Sequence, residues 1–246
     1  YCVIIGILAC ILSCTAAKPG AAIGHFHKRE EYRIVKDIFA GEIHTISLYG
    51  IPMAVLLAAL AEPVTGMFFG KATGTVFLLQ VSSSLIFFIP CALFFHYALQ
   101  GLGKTIVALR NSIVAFAVQT IAVIICLNVA HAGIASVAYG YMFLFGVITI
   151  LDGMTLLRYL KYSPEYIRMF VVPFLSAAIS GVLDMLLAKA MLEKAGATVT
   201  SIVCILLGCI GYVVLLFALN GVNEKELSKI PGGRTLGKIG KILHLF

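Results

Sequence analysis

The chain contains 246 residues, of which 61% are hydrophobic and only 12% are charged, and its formal net charge is +7. Soluble domains carry about twice that share of charged residues, so the composition excludes an ordinary soluble domain and indicates an integral membrane protein. In such a protein, excess Lys and Arg reflect the preference of these residues for cytoplasmic loops and anionic lipid headgroups. The charge therefore predicts a lipid bilayer as partner and no nucleic acid.

Seven apolar blocks follow one another along the chain, and each has about the 20 residues that a helix needs to cross the hydrocarbon core. Membrane β-barrels use short strands of alternating polarity instead, so the blocks predict an all-α integral membrane protein with about seven transmembrane helices. Two joints, 70–74 and 131–133, are short enough to force antiparallel neighbours. The blocks comprise residues 1–22, 46–69, 75–98, 106–128, 134–157, 170–190 and 199–219.

Lys and Arg residues concentrate at every second joint and in the C-terminal tail. Because moving these residues across the bilayer is unfavourable, the alternation predicts a start outside the cell, seven crossings and a cytoplasmic C-terminus. The joints after the first, third and fifth blocks and the tail contain most of the 18 Lys and Arg residues: Lys18, Lys28, Arg29, Arg33, Lys36, Lys104, Arg110, Arg158, Lys161, Arg168, Lys225, Lys229, Arg234, Lys238 and Lys241.

Two charged segments outside the blocks have helical patterns. The connector 24–42 predicts a solvated helix that lies on the cytoplasmic surface of the membrane. The tail, 221–246, predicts a basic amphipathic helix anchored to the inner leaflet, because its last apolar residues recur at helical spacing beside two lysines: Ile239, Ile242, Leu243 and Phe246. The first block begins at Tyr1 without the features of a signal peptide, so we expect a fragment whose N-terminal part is missing.

Three carboxylates within the apolar blocks are candidate functional groups, because charges inside hydrocarbon are costly. Glu62 precedes Pro63, which removes a backbone donor and predicts a kink in the second block. Glu62 either binds a proton or an ion, or lies near the interface and faces water or a basic partner. Asp152, near the inner end of the fifth block, either acts in function, reaches the interface or pairs with a neighbouring helix. Asp184, in the middle of the sixth block, is either functional or faces a groove in the protein.

A candidate substrate-binding site lies at the inner end of the third block. His96 and Gln100 share one helical face, and Lys104 and Arg110 follow at the joint, so the four side chains form a polar, basic cluster that suits a phosphate group. The alternative is that these residues are ordinary positively charged loop residues of the cytoplasmic side.

No catalytic arrangement of Ser, His and Asp or of paired carboxylates occurs at convincing spacing. The Cys residues lie within apolar blocks without CxxC spacing. The sequence thus predicts no catalytic residue, no metal site and no cofactor, and argues against an enzyme.

Three segments give the chain a family resemblance. The second block, GIPMAVLLAALAEPVTGMFFG at 50–70, resembles a helix of the multidrug/oligosaccharidyl-lipid/polysaccharide flippase superfamily. ALQGLGKT at 98–105 is similar to a turn of the polysaccharide-transporter branch of that superfamily, and the match at Gln100, Gly101, Gly103 and Lys104 implies a tight cytoplasmic turn. The tail, VNEKELSKIPGGRTLGKI, resembles the C-terminus of proteins like stage V sporulation protein B.

The resemblance implies a fold and a function. The blocks would be helices eight to fourteen of a fourteen-helix, MATE-like protein similar to the lipid II flippase. Residues 1–160 would be its second lobe, residues 161–220 two additional helices that form a groove for a lipid tail, and residues 221–246 the cytoplasmic tail. The first lobe would be the missing N-terminal part of the same chain. The implied protein is a multi-pass flippase of the bacterial cytoplasmic membrane, and its implied substrate is a polyprenyl-pyrophosphate-linked glycan.

Other functions stay open at this point. A multidrug or cation antiporter of the same superfamily is one, although that branch usually stops at twelve helices. A membrane-embedded enzyme acting on polyprenyl substrates is another, but it should show an acidic or His-rich cluster at one membrane face. A third is a non-transporting protein of envelope assembly or sporulation. The leading expectation is alternating-access transport of a lipid-linked oligosaccharide or cell-wall precursor such as a peptidoglycan precursor.

Overall fold

The computed structural model describes residues 2–69, 73–128, 131, 133–162 and 167–219. These residues form helices and contain no strand, which confirms the prediction of an all-α protein. The helices are α1 (Cys2–Lys28), α2 (Tyr32–Ala59), α3 (Ala61–Phe69), α4 (Thr73–Ser82), α5 (Leu85–Gly101), α6 (Thr105–Asn128), α7 (Ala135–Leu160), a π-helical turn (Ile167–Val171) and α8 (Val172–Ala218).

Within the described residues, seven helical stretches are long and apolar enough to cross a membrane, as the sequence predicts. Many of their large apolar side chains are exposed, including Ile106 at 84% and Ile134 at 71%. Hydrocarbon solvates such side chains as well as a protein core does, so their exposure fits a bilayer environment. The seven stretches are Ile4–Lys28, Tyr32–Ala59, Gly74–Gly101, Thr105–Asn128, Ala135–Leu160, Met169–Leu192 and Gly196–Ala218.

The structure corrects the prediction for the connector 24–42. Its first residues complete α1, and its remainder forms the start of α2, which continues without a break to Ala59. Val35 and Phe39 in this segment are fully buried. The rings of Phe94 and Phe95 each lie 5.8 Å from the ring of Phe39. The segment is therefore not a solvated surface helix, because its apolar face packs into the protein.

The predicted kink in the second block is confirmed. The helix is interrupted at Leu60, and α3 begins at Ala61. Pro63 has no backbone N–H and cannot donate to the carbonyl of Ala59, so the regular helical ladder fails at this point. Glu62 lies in the first turn of α3, where the helix dipole favours a carboxylate, and its side chain is exposed.

The chain divides into two compact units. Unit 1 comprises Tyr1–Ile46 and Val81–Pro164, and unit 2 comprises Ser47–Gln80 and Glu165–Phe246. The division predicted from the sequence, into a lobe (1–160), two additional helices (161–220) and a tail (221–246), stays a prediction. The basic tail, 221–246, lies outside the described residues.

Glycines allow a close helix contact in unit 1, between α1 and α5. A Cβ added to Gly24 would lie 2.9 Å from the Cα atom of Gly101, and one added to Gly20 would lie 2.6 Å from the Cβ atom of Tyr97. Moving four residues forward along α1, from Gly20 to Gly24, moves the contact four residues forward along α5, from Tyr97 to Gly101. The two helices therefore run parallel. Small residues allow such backbone contact, which gains van der Waals energy where hydrophobic burial does not drive helix association.

The ALQGLGKT segment forms the tight turn that the resemblance implies. The amide of Lys104 donates to the carbonyl of Leu99 at 2.9 Å, and the amide of Gly103 donates to the carbonyl of Gln100 at 2.9 Å. Gly103 has a φ of 72°. These two bonds and a left-handed glycine constitute a Schellman motif, which satisfies the last carbonyls of α5 before α6 begins.

The α1–α5 contact gives a test with a matched control. We expect Gly24→Ala to lower the free energy of unfolding by about 1–3 kcal/mol, because the new methyl group would meet the backbone of Gly101. Gly6→Ala in the same helix meets no atom within 4 Å, so it should be neutral or slightly stabilising through helix propensity. Denaturant titration of the purified protein in detergent measures both. Equal stabilities of the two variants would contradict the close packing at Gly24.

Candidate functional site

Three helices of unit 1 end close together. The α1–α5 contact at Gly24 places the ends of these two helices side by side. The ring of Tyr159, near the end of α7, lies 6.0 Å from the ring of His27. The ammonium group of Lys104 lies 5.2 Å from the centre of the same Tyr159 ring, which is within cation–π range. This region, called the basic end, gathers exposed cations from three separate joints of the sequence: Lys28, Arg29, Lys104, Arg158 and Lys161.

A buried polar cluster lies behind the basic end and joins three helices. Asp152 of α7 is completely buried. Asn111 of α6 donates from Nδ2 to Oδ1 of Asp152 at 2.8 Å. Nδ1 of His96, on α5, lies 3.3 Å from Oδ2 of Asp152. Each carboxylate oxygen therefore has one side-chain partner from a different helix, and we call these three residues the polar cluster.

The polar cluster lies well inside its helices. His96 is five residues before the end of α5, and Asp152 is eight residues before the end of α7. At 1.5 Å per residue, these separations correspond to about 8 and 12 Å. Gly153 helps to bring the helices together, because a Cβ at this position would lie 3.0 Å from the ring of Phe95 on α5. A small residue next to Asp152 thus allows the close approach that its hydrogen bonds need.

The polar cluster holds an ionisable group, the carboxyl group of Asp152, between polar partners inside the protein. Hydrogen bonds to a carboxylate are stronger than those between neutral groups, and an imidazolium would also form an ion pair with it. The amide group of Asn111 donates regardless of the charge of the imidazole. Asp152 therefore keeps one fixed donor whichever tautomer His96 adopts.

The other predicted substrate-binding residues lie at or near the surface of unit 1. Gln100, Lys104 and Arg110 are exposed. Gln100 and Arg110 make no side-chain hydrogen bond or ion pair with the described residues. Thus, of the four residues in the predicted site, His96 turns inward to Asp152, and the other three leave polar groups accessible near the basic end. Their role in binding a substrate stays a prediction.

Sequence reasoning found Asp152 and His96 separately but missed Asn111, the residue that completes the cluster. A signal was present, because Ala108, Asn111 and Ala115 recur on one helical face, and all three are buried. A polar residue between two small ones on such a face indicates a helix contact. Glu42 and His44 were also missed, since the sequence placed them in or next to the connector. The structure places both within α2, and both are buried.

The chain matches no family model, no curated protein and no solved structure. A function has to be argued from the chemistry of the chain's own residues. Among the described residues, no group of three or more His, Cys, Asp or Glu side chains could hold a metal ion. The polar cluster and the basic end are therefore the features on which a proposal for unit 1 can rest.

A double-mutant cycle tests the polar cluster. We expect Asn111→Ala and Asp152→Ala to show a coupling energy of about 0.6–1.7 kcal/mol, the range measured for hydrogen bonds between membrane helices. Ser112→Ala is the control, because the hydroxyl of Ser112 donates to the carbonyl of Ala108 within its own helix. Unfolding titrations of the single and double variants give both couplings. A coupling of Asp152 to Ser112 as large as that to Asn111 would contradict the assigned contact.

Proposed function

We propose that this chain is part of a membrane transporter, a flippase that moves a lipid-linked oligosaccharide or cell-wall precursor across the membrane by alternating access. The observation that carries the proposal is the polar cluster, which lies inside a bundle of apolar helices and behind the basic end. Ionisable side chains within membrane helices are rare, and they mark pathways for substrates and ions. A structural bundle has no need of a buried carboxylate at this depth.

The charge of the basic end favours an anionic substrate. Lys104 of the basic end and Arg110, in the second turn of α6 next to it, offer charge-assisted hydrogen bonds to phosphate oxygens, and arginine can bind them in a bidentate manner. A polyprenyl-pyrophosphate-linked glycan has a head too polar to cross hydrocarbon and a tail that can remain in it. Cations near the start of a polar pathway would attract the pyrophosphate, while the exposed apolar helix surfaces accommodate the tail.

The proposed topology follows from the same charges. Lys28, Lys104, Arg158 and Lys161 belong to joints that the sequence assigns to the cytoplasm, and in unit 1 they lie at one end. We place this end at the cytoplasmic face of a bacterial membrane, where lipid-linked precursors are made. The flippase resemblance, with the chain as the second half of a fourteen-helix protein, is consistent with this orientation.

A second candidate is a drug or cation antiporter, and the His96–Asp152 pair favours it. Carboxylate and histidine side chains within membrane helices occur in the proton relays of pumps and transporters. The positive charge of the basic end argues against an antiporter, because several exposed Lys and Arg side chains repel cationic substrates. An anionic lipid-linked substrate is therefore the better match for unit 1.

A translocation assay tests the proposal. The protein is reconstituted into liposomes with a fluorescent polyprenyl-pyrophosphate disaccharide, and a membrane-impermeant lectin reports the appearance of the sugar on the opposite face. We expect the double variant Lys104→Gln and Arg110→Gln to lower the initial rate by about tenfold or more, because it removes two charge-assisted contacts to phosphate.

Lys189→Gln is the matched control for this assay. Lys189 is an exposed lysine of α8 in unit 2, outside the basic end, and its replacement should leave the rate unchanged. Equal losses in both variants would contradict a role for the basic end. Transport of a cationic dye with no movement of the glycan lipid would favour the antiporter.

A further inference from the structure

Unit 2 contains a second buried carboxylate in a different setting. Asp184 lies on the part of α8 that precedes Gly196, called the first arm; the part that follows is the second arm. The hydroxyl of Ser180, one turn before Asp184, donates to the carbonyl of Gly208 on the second arm at 2.9 Å. This bond fixes the register of the two antiparallel arms and brings Asp184 opposite Gly208.

Glycines on the second arm make room for the polar side chains of the first. A Cβ added to Gly208 would overlap the carboxylate of Asp184, and one added to Gly211 would lie 3.3 Å from the hydroxyl of Ser180. The other neighbour of Gly208 is Leu56 of α2, whose Cδ2 atom would lie 2.9 Å from the added Cβ. Asp184 is only 4% exposed. Its carboxylate thus occupies a small space between two helical arms and an apolar side chain.

Asp184 has no partner for its charge. Its Oδ2 atom is buried without a hydrogen bond, and the side chain forms no ion pair with any described residue. Among the described residues, the ionisable side chains that interact with the Asp184 carboxylate are the thiols of Cys204 and Cys209 on the second arm. Tyr212 lies one turn beyond Gly208 on the same arm and interacts with Tyr49 of α2, and α3 carries the exposed Glu62. None of these is a cation. Lys189 on the same arm is exposed and does not pair with Asp184.

An unpaired carboxylate in apolar surroundings does not stay charged, because the cost of desolvation is too large. It is neutralised by a metal cation or by a proton. A hard cation needs several oxygen ligands, and the side chains that the described contacts place beside Gly208 and Asp184 offer one hydroxyl, that of Ser180. Cys204 contributes sulfur, and Leu56 contributes only hydrocarbon. A proton needs one carboxylate oxygen and no further ligand.

We propose that Asp184 is a proton-binding site, at which a neutral carboxylic acid lies between the two arms of α8. Separation of the arms at Gly208 would admit water to the carboxyl group and allow the proton to leave, and closure would require its return. Unit 2 would then couple a movement of its C-terminal helices to the uptake and release of one proton. This inference goes beyond the proposed function and depends neither on the substrate nor on the polar cluster in unit 1.

Infrared spectroscopy of the purified protein in lipid nanodiscs tests this site directly. At neutral pH, we expect the carbonyl stretch of a protonated carboxylic acid, at the high frequency typical of a group without hydrogen bonds. Asp184→Asn should abolish this band. Glu62→Gln is the control and should leave it intact, because Glu62 is exposed. A band that persists in Asp184→Asn, or its absence from the unmodified protein, would overturn the proposal.

Two further measurements complete the test. Gly208→Ala places a methyl group against the carboxyl group and should shift the frequency of the band while Asp184 remains, so the assignment can be checked even if Asp184→Asn fails to fold. An unchanged band in Gly208→Ala would count against the assignment. Addition of sodium or potassium at constant pH should have no effect, and loss of the band on addition of either ion would show that the site takes a metal cation instead.

Discussion

Burying a polar group in hydrocarbon without a hydrogen-bond partner is unfavourable in free energy, and this penalty constrains both the backbone and the side chains of the protein. Backbone groups satisfy this constraint by forming helices, and most of the described residues are accordingly helical. Side chains satisfy it in two ways. Asp152 is held by Asn111 and His96 from neighbouring helices, whereas Asp184 is enclosed beside Gly208 without a partner. Glycines accompany both carboxylates, because only a close approach of two backbones excludes lipid from the polar group.

The two units thus use similar residues for different chemistry. In unit 1, Asn111 and His96 each contact one oxygen of the Asp152 carboxylate, and the surface nearby is rich in Lys and Arg, which fits the proposed recognition of an anionic head group. In unit 2, the surroundings of the carboxylate favour its neutral form. The described contacts place these two groups in separate units.

Local sequence patterns predicted the membrane spans and the kink before Pro63, because both features depend only on residues within a single helix. The spans depend on its hydropathy, and the kink depends on the N–H group that proline lacks. Charge alternation also indicated which joints belong together, and in unit 1 their cations lie at one end. The prediction for the connector 24–42 was wrong because Val35 is buried and Phe39 packs against α5, and a surface helix has the same amphipathic sequence pattern as a packed helix. The link from Asp152 to Asn111 spans 41 positions of sequence, and no local pattern encodes it. Asp184 was recognised as a candidate functional residue from its position in the sixth block. Its lack of a partner depends on how the two arms of α8 pack, which the sequence pattern does not indicate.

The left-handed turn at Gly196, with φ 75° and ψ 167°, has a consequence for biosynthesis. An aspartate near the centre of a lone helix opposes insertion by the translocon by about 2.5–3.5 kcal/mol. The span that contains Asp184 ends at Leu192, and the next begins at Gly196, so its partner leaves the ribosome almost immediately afterwards. The two arms can enter the bilayer as one hairpin, with Gly208 already beside the carboxyl group. The sharp reversal at Gly196 therefore shortens the time for which Asp184 faces lipid alone.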